Sequence, residues 1–511
     1  MASNSAFQAL GLKNTVRSLV TEIQALYCAD SLPWILGYSG GKDSTASLQL
    51  VWLALQDLPV VERKKPLHVI STDTLVENPV VSGWVTTSLQ RMQEAADAQS
   101  VPVIAHRLTP GVTDSFWVNL IGRGYPAPRH KFRWCTERLK IKPSNTFITE
   151  VVAQSGEAIL VLGTRKAESQ ARARNMERQA ADRVRERLSP NAALPNCLVY
   201  SPIEDWNNDD VWLFLMQVQN PWGYNNKDLL TMYQGASEGG ECPLVVDTTT
   251  PSCGDSRFGC FVCTLVEEDK SLQAMVHNDM EKDWMQPLVR LRNLLDNPRN
   301  KPREERSGTG PDDREVRDFR RMGGLVQIYQ RKMDDSEERV PDYIPGPYVQ
   351  DHRATLLREV LLAQEALGKN KRAPAHVREN ELITIAELRE IRRIWVLEKH
   401  ETEDYLPVIY QEVTGNPFPD PASLESSPWG IDEFMILREA SENEVQYQLL
   451  RELLHVEQRY RTAARRAGLY ESLEEALRRG FYDDEEDAVG RARRRHETLR
   501  EAAVIDGGIV Q

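Results

Sequence analysis

The feature that most constrains this chain is a short apolar run, Trp34 to Tyr38, that passes directly into Ser39-Gly40-Gly41-Lys42-Asp43-Ser44-Thr45. The run follows Pro33 and is too short for a stable helix, so it reads as a buried strand. Paired glycines then let the backbone turn sharply and approach a ligand closely. Beyond them, Ser47 to Leu58 reads as a helix. A helix that starts after such a turn presents free N–H groups and the positive end of its dipole, and both attract an anion. Lys42 adds a point charge, Ser39, Ser44 and Thr45 add hydroxyl donors, and Asp43 is placed to assist Mg2+. A Walker-type loop, G-x4-G-K-S/T, needs wider glycine spacing, so hydrolysis of a γ phosphate is disfavoured. The competing reading is a Gly-rich strand-to-helix turn with an incidental lysine.

The flanking sequence repeats the strand-and-helix rhythm. Leu19, Ile23 and Leu26 recur at helical spacing between Val16 and Tyr27, and Leu67 to Thr72 reads as a second strand. Helix-like segments at Thr86 to Gln99 and Pro143 to Gln154 alternate with apolar runs at Val101 to Ala105 and Ala158 to Gly163. This is the pattern of a mostly parallel sheet covered on both faces, so the expected class is doubly wound α/β. Between about Asn297 and Gly324 charge, Gly and Pro dominate, which predicts a loop or linker. Further on, EVLLAQEAL, LREIRRIWVLEK and YQLLRELLHVEQRY predict a helical C-terminal extension. The expected division is 1–240 for the α/β domain, 241–296 for a cysteine-rich segment, 297–352 for the linker and 353–511 for the helical region.

Of 511 residues 41% are hydrophobic and 27% charged, the mix of an ordinary globular protein. The net charge of -13 argues against a protein that coats nucleic acid over its whole surface, although a local basic patch stays open. No apolar run reaches the roughly 20 residues of a membrane span, and the first residues lack a signal-peptide core, so the expected location is the cytoplasm.

Four of the seven cysteines, Cys242, Cys253, Cys260 and Cys263, fall within 22 residues at the spacing C-x10-C-x6-C-x2-C. Four thiolates on irregular backbone suit one centre, either structural Zn2+ or an iron–sulfur cluster, and spacing does not separate the two. Cys135 lies in Arg129-His130-Lys131-Phe132-Arg133-Trp134-Cys135-Thr136-Glu137-Arg138. Positive neighbours stabilise a thiolate, the nucleophilic form, so a lowered pKa and a sulfur-carrying role are open for this thiol, although composition alone slightly favours a structural cysteine. Cys28 and Cys197 read as packing residues.

SGGKDS is the signature of the PP-loop ATP pyrophosphatases and of phosphoadenylylsulfate (PAPS) reductases, and the chain resembles that superfamily in several further places. Ser71-Thr72-Asp73-Thr74, followed by Glu77, Asn78 and Pro79, looks like its second loop, which implies that Asp73 lies near the nucleotide or its metal. Leu162-Gly163-Thr164-Arg165-Lys166-Ala167-Glu168-Ser169, with Arg172, is similar to the G-x-R-x-x-E-S-x-x-R segment, which implies nucleotide contacts from Gly163 and Arg165. Pro202-Ile203-Glu204-Asp205-Trp206 and Asp210-Val211-Trp212 resemble the P-L/I-x-D-W and D-V-W motifs. Together these cover about residues 30 to 265. The implied fold is the adenine nucleotide alpha-hydrolase-like sheet. For the Arg-rich stretch Thr164 to Leu188, phosphate contacts and a solvated helix face are both open, apart from Arg165.

Within the superfamily, no Cys follows Cys263 and no Cys-Cys pair occurs, which disfavours sulfonucleotide reduction. The set GYSGGKDST, FRWCTERLKIKP, LGTRKAES, the four-cysteine run and a charged C-terminal extension resembles the DndC-type sulfurtransferase family of bacterial DNA phosphorothioation. That resemblance implies ATP pyrophosphatase activity with Mg2+, a 4Fe-4S cluster on Cys242, Cys253, Cys260 and Cys263, and Lys42, Asp43 and Cys135 in catalytic roles. It further implies a cysteine desulfurase as sulfur donor, partner subunits that include an ATPase, and DNA reached through those partners. The alternatives are a tRNA thiolase or sulfonucleotide reductase of the PP-loop class, and a nucleotide-sensing scaffold with structural zinc.

Overall fold

The computed structural model describes residues 5–181, 183, 185, 187–235, 259–266, 268–278, 280–299, 301–302, 305, 313–332, 339–401, 403–419, 429–461 and 466–505. The chain divides into two compact units, one of residues 1–111, 130–292 and 370–380 and the other of residues 112–129, 293–369 and 381–511.

The first unit is built on six strands: β1 (Trp34–Gly37), β2 (Leu67–Thr72), β3 (Val103–Leu108), β4 (Ala158–Val161), β5 (Ser189–Pro190) and β6 (Cys197–Tyr200), in the order β3-β2-β1-β4-β6-β5. All neighbours pair in parallel except β5 with β6. The expected doubly wound α/β architecture is therefore present.

Side chains alternate between two buried faces along each central strand, as strand geometry requires. Trp34, Leu36, Leu67, Val69, Ile159 and Val161 pack into one core. That core is covered by α1 (Gly11–Cys28), α2 (Lys42–Asp57), α3 (Pro79–Gln99) and, beyond α4 (Lys142–Ser155) and α5 (Gln170–Ala181) in the chain, α6 (Asn208–Gln217). Ile35, Ile70, Ala158 and Leu160 face the other core, where α4 (Lys142–Ser155) contributes Ile148 and Val151. Between these lies α5 (Gln170–Ala181), and α7 (Asn226–Gly235) follows α6. Each fully buried aliphatic or aromatic side chain contributes about 1.5–3 kcal/mol.

The connection pattern positions the site. From β1 the chain winds outward through β2 to β3, then crosses back so that β4 lies on the other side of β1. The segments leaving β1 and β4 diverge, which opens a crevice at the carboxyl ends of these two strands.

The second unit is mainly helical, with helices at Gln350–Lys369, Ile385–Arg393, Tyr405–Thr414, Ile431–Ala440, Glu444–Arg461, Leu469–Gly480 and Glu485–Ile505. Within 297–352, expected as loop or linker, β7 (Ile328–Lys332) and β8 (Arg339–Tyr343) pair antiparallel. Buried charges here are matched: Arg353 holds Glu401, and Arg451 holds Glu403 at 2.9 Å. Burial pushes His352 down to about 4 and His400, stacked on His455, down to about 3. Unfolded histidines take up protons near pH 6.5, so unfolding binds protons below that pH, and stability falls as pH drops from about 6.5 towards 4. For buried His352 the loss is on the order of 3 kcal/mol, expected as a lower urea midpoint near pH 4.5 than near pH 7. No helix among the described residues is long and apolar enough to cross a membrane.

Candidate active site

A cleft of about 1050 Å³ opens in the first unit at the switch between β1 and β4. Its floor is the loop Gly37–Ser44, and its walls include Ile70, Thr72, Glu77, Lys140, Arg165 and Tyr233. The volume suits a nucleotide-sized ligand.

The loop's geometry follows from its residue types. Gly40 has φ +74°, and a Cβ there would lie 2.5 Å from the Val85 side chain. Gly41 caps α2 without a side chain of its own, and the Tyr233 hydroxyl accepts the Lys42 N–H at a long 3.5 Å. The helix begins at Lys42, five residues before the start read from the apolar pattern, because the polar residues of its first turn face the cleft. Ser44 Oγ donates to Gly41 O at 3.0 Å and accepts the Ser39 N–H at 3.2 Å, which fixes the turn. The Thr45 hydroxyl donates to Gly41 O at 2.8 Å; this residue is buried in the helix and does not line the cleft.

Asp43 sits between two cations, with Lys42 Nζ 3.1 Å from Oδ2 and Arg165 Nε 2.7 Å from Oδ1. Arg165 is 4% exposed, and Glu168 accepts its backbone N–H at 2.9 Å. Two guanidinium and ammonium groups held by one carboxylate at a helix start are poised to exchange that carboxylate for phosphate. Gly163 does not line the cleft either; it lets β4's exit pass over the loop, since a Cβ there would lie 2.8 Å from the Asp43 carbonyl carbon and oxygen. Gly163→Ala is therefore expected to displace the loop and to lower stability by about 1–3 kcal/mol, visible as a lower Tm together with weaker ATP binding.

Asp73 is placed differently from its expected role. Its Oδ2 lies 2.8 Å from Arg107, its Oδ1 accepts the Leu75 N–H, and it is absent from the cleft lining. Glu77, four residues on, lines the cleft instead. Burial pushes its pKa up, and Lys140 opposes that shift. In the Arg-rich stretch, α5 is largely exposed, Arg172 pairs with Glu168, and Arg183 and Arg187 pair with Glu204. Apart from Arg165, which reaches the cleft, Arg172, Arg183, Arg185 and Arg187 are ion-paired.

The cysteines supply what sequence order conceals. Gly259–Cys263 is sewn onto the loop after β2: Asn78 N–H donates to Gly259 O, Phe261 N–H to Val76 O, and Thr74 Oγ1 lies 3.3 Å from Cys260 Sγ. Gly259 itself lines the cleft. Cys263 acts electrostatically on both Cys135 and Cys260, which puts Cys135 in the same neighbourhood as the Cys260–Cys263 turn, beside the cleft-lining residues Gly259 and Lys140. Cys135 does not behave as its cationic neighbours suggested: burial pushes its thiol up, and Cys263 adds to the rise. Lys131, Arg133 and Lys140 are exposed, whereas the Cys135 thiol is half-buried. Burial likewise takes Cys260 to about 11. A C-x2-C turn with soft, dehydrated sulfur donors suits iron or zinc. Cys242 and Cys253 lie outside the described residues, and among those described no group of three or more His, Cys, Asp or Glu forms a metal centre.

Residues 33–223, which hold the α/β sheet and most of the cleft lining, match the model of the phosphoadenosine phosphosulfate reductase domain family. The chain is 24% identical over 256 residues to an uncharacterized protein of Methanocaldococcus jannaschii; the match spans 50% of this chain and 41% of that protein's length. Among solved structures it is similar to the PAPS reductase of Candida auris, with 13% identity, TM-score 0.27, 43% of this chain and 91% of that one. It is also similar to the U34-tRNA thiolase NcsA of Methanococcus maripaludis, solved with its 4Fe-4S cluster, with 15% identity, TM-score 0.27, 58% of this chain and 83% of that one. Likenesses this remote establish no shared activity.

Proposed function

We propose that this chain is an ATP pyrophosphatase and sulfurtransferase of the DndC type, which adenylates a DNA backbone phosphate and helps replace a non-bridging oxygen with sulfur. The observation that carries the proposal is a cleft floored by a glycine-capped Ser-Gly-Gly-Lys helix start, with the Cys260–Cys263 turn joined to it through the cleft-lining Gly259 and with Lys140 of the Cys135 segment in its wall.

A non-bridging oxygen of the acceptor phosphate attacks the α phosphorus of ATP, the α–β anhydride bond breaks, and pyrophosphate leaves. Lys42, Arg165 and the first-turn amides of α2 neutralise the charge that develops on the departing group. Asp43, released from those cations, is positioned to hold Mg2+. The outer sulfur of a Cys135 persulfide then attacks the acceptor phosphorus and expels AMP, which carries away the displaced oxygen. An external thiol reductant next attacks the Cys135 sulfur, breaks the S–S bond and releases the phosphorothioate, and a second reductant thiol restores the Cys135 thiol as the reductant leaves as its disulfide. Cys135 is the sulfur-carrying residue on this chain, loaded by a cysteine desulfurase. A 4Fe-4S cluster on Cys242, Cys253, Cys260 and Cys263 would supply iron with affinity for sulfide. DNA and further subunits, an ATPase among them, complete the reaction.

Two measurements test this. ATP and Mg2+ incubated with the protein are expected to yield pyrophosphate and AMP, not phosphate and ADP. Nuclease digestion of host DNA, with and without this protein, is expected to yield phosphorothioate dinucleotides by mass only when it is present. Thiolated bases in RNA, with an unmodified DNA backbone, would replace this assignment with tRNA thiolation.

A further inference from the structure

The segment from His130 to Lys142 holds five cations, Lys131, Arg133, Arg138, Lys140 and Lys142, against one acid, Glu137, in a chain whose net charge is -13. Its anchors are buried: Trp134 is 7% exposed and Leu139 1%. Around them Lys131, Phe132, Arg133, Lys140 and Lys142 are exposed. A wide, π-type turn over Thr136–Ile141 carries the segment into α4, a distortion common at functional sites. Lys140 and Ile141 line the cleft, and Cys135 lies in the middle of the strip.

Several other arginines of this unit hold acidic partners, Arg107 with Asp73, Arg172 with Glu168 and Arg187 with Glu204, while Arg63 is taken up by backbone carbonyls and Arg91 lies over the Tyr224 ring. Lys131, Arg133 and Lys140 have no ion pair among the described residues. Leaving like charges uncompensated beside one another is unfavourable in the free protein, and a bound polyanion removes that repulsion. Phe132, between Lys131 and Arg133, is 41% exposed. An aromatic face flanked by cations matches an unpaired base with a phosphate on either side, which a single strand offers and a duplex hides.

We infer that the strip Lys131–Lys142 is this chain's own binding surface for single-stranded DNA, leading the strand past Cys135 into the nucleotide cleft. DNA affinity is then not wholly borrowed from partner subunits. The purpose of the strip rests on the sulfur-transfer assignment, but its binding does not.

The test uses the full-length protein and a fluorescently labelled oligonucleotide, single-stranded or duplex, followed by anisotropy across a salt series. Lys131→Glu with Arg133→Glu is expected to weaken single-strand binding at least about tenfold near 0.1 M salt and to reduce the slope of log K against log salt by about 1.4, for two lost phosphate contacts. Phe132→Ala is expected to weaken single-strand binding at least about fivefold with the slope unchanged. Lys131→Gln with Arg133→Gln, which removes charge without reversing it, is expected to give an intermediate loss, and Tm confirms that all variants are folded. Wild-type affinity in the charge variants would overturn the inference, as would duplex binding equal to single-strand binding with no effect of Phe132→Ala. Pyrophosphate release from ATP alone, measured on the same preparations, is expected to be unchanged. Silence of that assay in the wild type would count against the enzymatic assignment, leaving the oligonucleotide result to decide the strip.

Discussion

Lys42→Ala is expected to lower ATP-dependent pyrophosphate release by about 10²–10³-fold, the usual consequence of removing one preorganised charge from a developing anion. Lys42 is the ammonium group of the loop itself. Its side chain is 14% exposed and its Nζ lies 3.1 Å from Asp43, where only a short rearrangement separates it from an incoming triphosphate. Arg165 does not replace it, because that guanidinium reaches the site from the other Asp43 oxygen, 2.7 Å away, and supplies a separate contact. The fold tolerates the change: α2 is held by Ala46, Leu48, Leu50, Val51 and Trp52 in the core, none of which touches the loop's charge. Tm is thus expected to stay close to wild type while release falls. A rate within about threefold of wild type would mean that the loop's ammonium plays no part in opening the anhydride, contrary to the electrostatic argument.

The part of the site legible in the sequence was the part that is local in the chain. An apolar strand, two glycines and a helix are consecutive, so Trp34–Thr45 announced its strand–turn–helix fold. β2 was read at its observed bounds, Leu67–Thr72, because an apolar run between turn signals has few other solutions. Helix starts were less legible: α3 begins at Pro79, seven residues before Thr86, since its first turn is set by Asn78 accepting the Val80 N–H and by Pro at the first position, not by apolar periodicity. The hairpin of β7 and β8 was missed because its strands carry Gln, Arg, Lys and Asp in place of an alternating apolar face. Long-range placement was hidden altogether. Asp73 and Glu77 are both acids after β2, and only the position of Arg107 on β3 decides which of them turns away. The docking of Gly259–Cys263 on Val76–Asn78 joins positions far apart in sequence through backbone hydrogen bonds that leave no signature in side-chain composition.

That docking makes Cys135→Ser the most discriminating substitution in the chain. Sulfur incorporation into DNA is expected to fall below detection, while pyrophosphate release stays within about threefold of wild type, since activation uses Lys42 and the loop amides and transfer uses the thiol. The raised pKa of Cys135 fits a carrier of this kind. At neutral pH its resting thiol is protonated and so resists adventitious alkylation and oxidation, because the thiolate is the reactive form. Loaded with a second sulfur it becomes a persulfide, which is more acidic than a thiol and ionises where the thiol does not. Serine keeps the size of the side chain and can still donate to a neighbour, so a packing role alone would survive the exchange. Cys197→Ser is the matching control: that thiol is buried in the core on β6 with its pKa pushed up to about 11, and its loss is expected to lower Tm without separating the two activities. Parallel loss of activation and transfer in Cys135→Ser would place Cys135 in the nucleotide machinery, and full retention of both would move the carrier role to Cys260 or Cys263.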